Sequence, residues 1–149
     1  MPVAMVSSPT ARARGATIAG LVFFALGVVF MSFSLLLDGL AVPAIAARYV
    51  PHPDKIESAR VIFVLIGTLV SFLMPIGLAF QSAAIAAWGW TLTASGSRAA
   101  GLFALALGGA MLAGIAFGVV AMNPMILMGA IVGTALWALV AGATMLRGA

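Results

Sequence analysis

The sequence predicts an all-α integral membrane protein, a bundle of four transmembrane helices connected by short loops. Of its 149 residues, 64% are hydrophobic and only 7% are charged, whereas a soluble domain usually carries about 25% charged residues. Four apolar stretches are each long enough to cross a hydrocarbon core of about 30 Å. The basic residues stand near the ends of these stretches, where they fix the topology of membrane helices. The lipid bilayer is therefore the expected surrounding of one domain, residues 16–149.

Charge and cysteine content exclude several classes of function. The net charge is +4, but the basic residues form no cluster interleaved with aromatic side chains, so no nucleic-acid partner is predicted. The chain has no cysteine, which excludes disulfides, thiolate metal sites and cysteine nucleophiles. Its single histidine provides neither paired haem ligands nor a Ser/His/Asp set inside a bundle. The sequence therefore predicts neither a cofactor nor catalysis.

The first span is predicted at about 18–42 and follows a polar segment, 1–15, which has no apolar period. We expect that segment to be a disordered tail. One charge, Asp38, lies close to the far end of the span. Pro43 disfavours helical geometry in the residue before it, so the helix is predicted to end there.

A cleavable secretory signal is the alternative interpretation of the first span. Basic residues precede the apolar run, and Ala44, Ile45 and Ala46 have the small-x-small pattern of a cleavage site. The apolar run exceeds the usual length of about 7–15 residues in such signals, which favours a retained helix.

The second span is predicted at about 55–90. Asp54 and Glu57 are spaced as in a capping box, which predicts a helix that begins at Lys55. The uncharged stretch that follows would be roughly 45 Å long as a straight helix, so it has to tilt, kink or emerge from the bilayer. Pro75 is the expected kink.

The third and fourth spans are predicted at about 99–122 and 124–146, after Trp88 and Trp90 mark a membrane-water boundary. The turn between the two spans is so short that they must be antiparallel neighbours. Small residues spaced four apart let two helices approach closely in lipid, so a tight hairpin is expected. Each of these spans contains one GxxxG pair, and the four glycines are Gly114, Gly118, Gly129 and Gly133.

One stripe on the first span supplies the main candidate functional residues. It consists of Gly20, Phe24, Gly27, Met31, Ser34 and Asp38, spaced three or four apart. Because lipid would penalise its polar end, we expect the stripe to face other helices. Asp38 is an ionisable residue in a span, which makes it a functional candidate by default. A salt bridge to Arg60 or Arg48 at the headgroup layer is expected, and proton or cation coupling is the alternative.

Two further candidates lie on the same side of the predicted membrane as Asp38. Arg60 opens the second apolar run, where it either ties two helices together or gates a cavity. His52 is expected to be a solvated loop residue, with a pH sensor or ligand as the alternative. Polar residues of the second span either bond to a nearby backbone or line a permeation path, and they include Thr68, Ser71 and Ser82.

Topology and function follow from these assignments. With four spans, the side that holds both termini carries four basic residues against three on the other, and we expect both termini in the cytoplasm. An excess of arginine over lysine indicates a bacterial protein, hence the plasma membrane.

The leading functional hypothesis is a non-catalytic membrane protein that acts through helix contacts, as a subunit or helper of a membrane complex or as a homo-oligomer. The alternatives are a small oligomeric transporter or channel that uses Asp38 and the helix kinked at Pro75, and a membrane enzyme that acts on a lipidic substrate.

Overall fold

The fold is all-helical, as predicted. A computed structural model describes residues 9–118, 128–129, 132–137 and 139, of which 93% are helical and none is in a strand. Three helical segments of the described chain are long and apolar enough to cross a membrane, namely Arg14–Tyr49, Ile56–Ala94 and Arg98–Ala116. Most of the predicted fourth span lies outside the described residues, so the four-span bundle stays a prediction.

The first helical segment does not end at Val42, contrary to the sequence-based prediction. Helix α1 (Pro9–Leu36) continues through a five-residue π-turn, Leu37–Ala41, directly into helix α2 (Val42–Tyr49). The backbone N–H of Val42 donates to the carbonyl oxygen of Leu37, five residues back. Pro43 lacks an N–H and its ring crowds the carbonyl of the preceding turn. The wider π-turn relieves that crowding, so the chain stays helical across the proline.

The N-terminal boundary also differs from the predicted tail at 1–15. Residues 1–8 lie outside the described chain, but α1 already begins at Pro9. The residues that follow Pro9 include several alanines and arginines, which have high helix propensity. Proline itself suits the first helical position. The polar composition of this segment therefore did not prevent it from extending the helix.

Helix α3 (Ile56–Ala94) begins without the predicted capping box. A 3₁₀ turn, Pro53–Lys55, precedes it, and the N-cap residue Lys55 makes no side-chain capping bond. The N–H of Lys55 instead donates to the carbonyl of His52 at 3.0 Å. Helix α3 then continues through Pro75 to Ala94. At about 1.5 Å per residue it would be close to 60 Å long, far more than the hydrocarbon core requires.

Helices α1 and α3 form an antiparallel pair whose closest approach is made by glycines. A Cβ atom added to Gly27 would lie 2.8 Å from the carbonyl oxygen of Gly77, and one added to Gly77 would lie 2.7 Å from Cγ of Met31. Gly20 leaves room for the indole of Trp88, whose ring would be 2.5 Å from an added Cβ. Without these side chains the two backbones come close enough for van der Waals packing, which drives helix association in lipid.

Helix α4 (Arg98–Ala116) packs on α3 in the same way. An added Cβ at Gly101 would lie 2.7 Å from the carbonyl oxygen of Gly89, and one at Gly108 would lie 2.7 Å from the carbonyl oxygen of Ser82. The buried apolar residues of this contact fall into two clusters, which contain Leu78 and Met111, and Ile85, Ala104 and Trp137. Glycines thus line both helix contacts of α3, and we call these two rows of close-packed glycines the glycine seams. One lies between α1 and α3 and the other between α3 and α4.

Within the described chain, more helices pack together at one end of α3 than at the other. Contacts between α3 and α4 run from Gly101 beside Thr93 down to Met111 beside Leu78. Helix α4 therefore lies along roughly the second half of α3, and its chain turns away at Gly118, where φ is +71°. Helical residues 132–137 return along this half, where Trp137 stacks on Trp88 with ring centroids 5.4 Å apart. The first half of α3 packs against α2 and the end of α1.

Candidate functional site

The stripe on the first helical segment faces α3 along most of its length, as expected. Gly20, Gly27 and Ser34 are buried, and the half-buried Met31 packs on the cluster around Leu78. Asp38, the last residue of the stripe, does not share this face and is exposed, contrary to the prediction. Leu37 and Ala41 are half-buried in its place, because the π-turn changes which residues face α3. Asp38 therefore points away from the described helices.

The expected salt bridge between Asp38 and Arg60 is not formed. Arg60 instead lies 3.9 Å from Glu57, one turn earlier on α3, and both side chains are exposed. In the antiparallel register set by Gly27 and Gly77, Asp38 lies level with Ile66, six residues or about 9 Å along α3 from Arg60. Because Asp38 is exposed on the far side of its own helix, its carboxylate is turned away from Arg60. Within the described chain, Asp38 makes no ion pair with Arg48 either.

The polar side chains of α3 bond to their own helix. The hydroxyl of Thr68 donates to the carbonyl of Val64 at 2.7 Å, and the hydroxyl of Ser71 donates to the carbonyl of Thr68 at 2.7 Å. Ser82, fully buried, donates to the carbonyl of Leu78 at 2.7 Å. Of the two roles predicted for these residues, the backbone bonds are the one observed, and they satisfy hydroxyls that lipid or a dry interface would otherwise leave unpaired.

His52 lies at the turn of the α2–α3 hairpin, where two adjoining cavities open. One has a volume of about 250 Å³ and is lined by Arg48, Tyr49, His52 and Lys55. The other, of about 620 Å³, is an apolar groove between α2 and α3, and Tyr49 and Arg60 belong to its lining. Sequence reasoning singled out His52 and Arg60 but missed the grouping. The available signal was the placement of Arg48 and Lys55 on either side of the short turn.

The four glycines of the GxxxG pairs occupy different environments. Gly114 is half-buried, whereas Gly118 has a positive φ of +71° and ends α4. An added Cβ would meet nothing at Gly129 and would lie 3.3 Å from Cδ1 of Leu107 at Gly133. Part of the predicted third and fourth spans lies outside the described residues, so the tight hairpin stays a prediction.

Helix α4 also has a row of small residues that the described chain leaves uncovered. Ala106, Gly109, Ala110 and Ala113 recur at helical spacing and are exposed. A Cβ atom added to Gly109 would meet nothing within 4 Å. The opposite face of the same helix, which carries Gly108 and Ala104, is buried on α3. Helix α4 thus has two faces of small residues, of which one packs on α3 and the other is exposed.

Trp88 joins three parts of the bundle, a role that sequence reasoning did not predict. Its ring lies 5.7 Å from that of Phe24 and 5.4 Å from that of Trp137. Its indole N–H donates to the carbonyl of Thr17 at 3.3 Å. Trp90, by contrast, is 64% exposed, as expected for a residue at the membrane boundary. The two tryptophans, predicted to act alike, therefore occupy different environments.

The described residues contain no group of three or more histidine, cysteine, aspartate or glutamate side chains placed to hold a metal ion. No protein-family model, curated protein or solved structure matches the chain.

Proposed function

We propose that this chain is a multi-pass membrane protein without catalytic activity that acts through helix contacts, as a subunit or helper of a membrane complex or as a homo-oligomer. The observation that carries the proposal is the uncovered row of small residues on α4, centred on Gly109. In lipid, such faces let a second helix approach closely and gain van der Waals contact. The two glycine seams within the chain illustrate the same mode of packing.

The position of Asp38 is consistent with the same proposal. An exposed carboxylate in an apolar helical segment is costly when it faces lipid. Asp38 lies on the outer surface of the hairpin, in a π-turn, without an ion pair in the described chain. A neighbouring subunit that supplies a basic or hydrogen-bonding group would remove that cost. π-Turns are frequent at functional sites, which also favours a role for this position.

The test is the assembly state of the full chain and of a variant on the free face of α4. Substituting Gly109→Leu adds a side chain where the fold has open space, so the helices should still pack normally. We expect wild-type protein extracted in mild detergent to migrate well above its 15.1 kDa monomer mass, and G109L to dissociate. The matched control is Gly67→Leu, which adds the same side chain at another exposed glycine with open space.

Two outcomes would contradict the proposal. One is a wild-type protein that is monomeric and brings no companion protein at any detergent concentration that preserves its helicity. The other is equal dissociation by G109L and G67L, which would indicate a nonspecific effect of the added leucine.

A small oligomeric transporter or channel is the second candidate, and the exposure of Asp38 favours it. In an oligomer whose centre is lined by Asp38, the carboxylate would bind a proton or a cation. Flux measured in vesicles should then fall at least 10-fold in Asp38→Asn, while the oligomer remains intact. Unchanged assembly with no measurable flux in either protein would favour the subunit proposal.

A further inference from the structure

The α2–α3 hairpin carries an apolar groove on its outer surface. The groove has a volume of about 620 Å³, within the range of about 300–1,000 Å³ found for small-molecule sites. Two alanines line it, the half-buried Ala46 and the buried Ala59. Val50 and Val64 also line it and are exposed by 74% and 63%. The site therefore offers an open apolar channel rather than a closed pocket.

A basic cavity adjoins the groove at the turn. Arg48, His52 and Lys55 line it, and Tyr49 lines both spaces and is half-buried between them. The carboxylates nearby in sequence are Asp54 and Glu57, and Glu57 lies against Arg60 at 3.9 Å.

Arg48 and Lys55 have no ion pair within residues 9–118. Two cations without an ion pair in the described chain thus line one small polar cavity beside an apolar groove. The cavity offers positive charge and hydrogen-bond donors to an anion.

We propose that this hairpin end binds an anionic phospholipid, with the phosphate between Arg48 and Lys55 and one acyl chain in the groove. The basic cavity suits the charged headgroup of such a molecule, and the adjoining apolar groove suits its acyl chain. Basic pockets beside membrane helices bind anionic headgroups in this manner. Tyr49, at the junction, has the amphipathic side chain typical of the membrane-water boundary. The proposal holds whether or not α4 associates with a second protein.

The experiment uses full-length protein in phosphatidylcholine vesicles that contain a trace of phosphatidylglycerol with a photoactivatable acyl chain. After irradiation, the lipid adduct on peptide 46–64 is measured, with unlabelled phosphatidylglycerol as competitor. A photoactivatable phosphatidylcholine with the same acyl chains reports on nonspecific contact with bulk lipid. Inorganic phosphate, added without lipid competitor, tests whether the site prefers a free anion.

We expect phosphatidylglycerol to label this peptide several-fold more than phosphatidylcholine does. In R48Q/K55Q, labelling should fall by about 5-fold for each charge removed, the effect of one basic residue near an anionic surface. The matched control, R14Q/R98Q, removes two exposed charges outside both cavities and should label like the wild type. Ala46→Phe fills the groove and should reduce the adduct although both cations remain.

Equal labelling by the two lipids would overturn the proposal, as would equal losses in R48Q/K55Q and R14Q/R98Q. Displacement of the lipid by millimolar inorganic phosphate would show that the cavity takes a free anion, which also contradicts a lipid site. Both double variants change only exposed side chains, so helicity measured by circular dichroism should match the wild type and keep these comparisons valid.

Discussion

Two helical glycines, Gly108 on α4 and Gly67 on α3, allow the packing of α4 on α3 to be tested by the addition of a single methyl group. At Gly108, an added Cβ would lie 2.7 Å from the carbonyl oxygen of Ser82 and 3.1 Å from the backbone nitrogen of Ala86. Backbone atoms cannot move aside as a flexible side chain can, so Gly108→Ala should separate α3 from α4. Overpacking of this kind costs about 1–3 kcal/mol. We expect a lower thermal unfolding midpoint for G108A in detergent.

Gly67→Ala is the control, because it makes the same substitution at an exposed glycine inside a helix, away from the small-residue face of α4. Its added Cβ would meet nothing within 4 Å, and alanine in a helix interior gains about 0.5–1 kcal/mol over glycine. G67A should therefore unfold at or above the wild-type temperature. A similar loss of stability in both variants would indicate that the α3–α4 contact is not where the structure places it.

The two tryptophans near the end of α3 provide a second test. Trp88 contacts Phe24 and Trp137 and donates a hydrogen bond to Thr17, whereas Trp90 is largely exposed. Trp88→Ala should cost about 3–5 kcal/mol, the range for a packed aromatic residue. Trp90→Ala should stay within about 0.5 kcal/mol of the wild type, as exposed substitutions usually do. Reversible unfolding monitored by circular dichroism would measure both, and equal effects would refute the packing role of Trp88.

The sequence correctly predicted the residues whose burial depends on spacing along their own helix. It did not predict the residues whose role depends on how two helices pack against each other. The spacing of Gly20, Gly27 and Ser34 correctly indicated one buried face. The chain has 17 glycines, however, and spacing alone favoured Gly114 and Gly118 over Gly108. Gly108 makes the close approach because of the way α4 is rotated about its axis relative to α3. The spacing of residues along one helix does not determine that rotation. The basic cavity was missed for the same reason, since it forms across a turn.

At the scale of the helix, Gly118 determines where α4 ends. Its φ is +71°, and its N–H donates to the carbonyl of Ile115 at 3.0 Å, as in a glycine-terminated helix. A side chain is strained at positive φ, so Gly118→Ala should destabilise the fold by about 1–2 kcal/mol. Gly118→Asn should recover part of that loss, because asparagine tolerates this conformation. Unfolding in a detergent titration measures both, and an unchanged G118A would show that the turn does not need glycine.

The π-turn at Leu37–Ala41 illustrates why helix boundaries were predicted less well than helix positions. Pro43 correctly marked a disturbance in the hydrogen-bond ladder, but the disturbance was absorbed by a wider turn rather than by a break. Whether a proline ends a helix depends on what the next segment packs against. Here α2 packs along α3 and lines the groove with it, so the packing contact stabilises a helix that continues past Pro43. That contact is tertiary and cannot be seen in the local sequence.

At the scale of the molecule, the helices are unequal in a way that constrains their place in a bilayer. Helix α4 has 19 residues, about enough to span the hydrocarbon core, while α3 has 39. Because α4 lies along one half of α3, a bilayer centred on α4 would leave part of the hairpin beyond it. That part exposes apolar side chains, among them Val61, Leu65 and Phe72. If the bundle tilts, these side chains stay in lipid. If it does not tilt, a partner protein has to cover them.

The number of crossings and their orientation can be tested directly because the chain has no cysteine. Single cysteines introduced at His52, Gly96 and Gly148 would report on which side of the membrane the first two connections and the C terminus lie. Helices α1 to α3 place His52 and Gly96 on opposite sides if both helical segments cross. If the predicted fourth span also crosses, Gly148→Cys should react with a membrane-impermeant maleimide from the same side as Gly96→Cys. With both termini in the cytoplasm, only His52→Cys should be labelled in intact cells. Labelling of all three from one side would contradict a membrane-spanning hairpin.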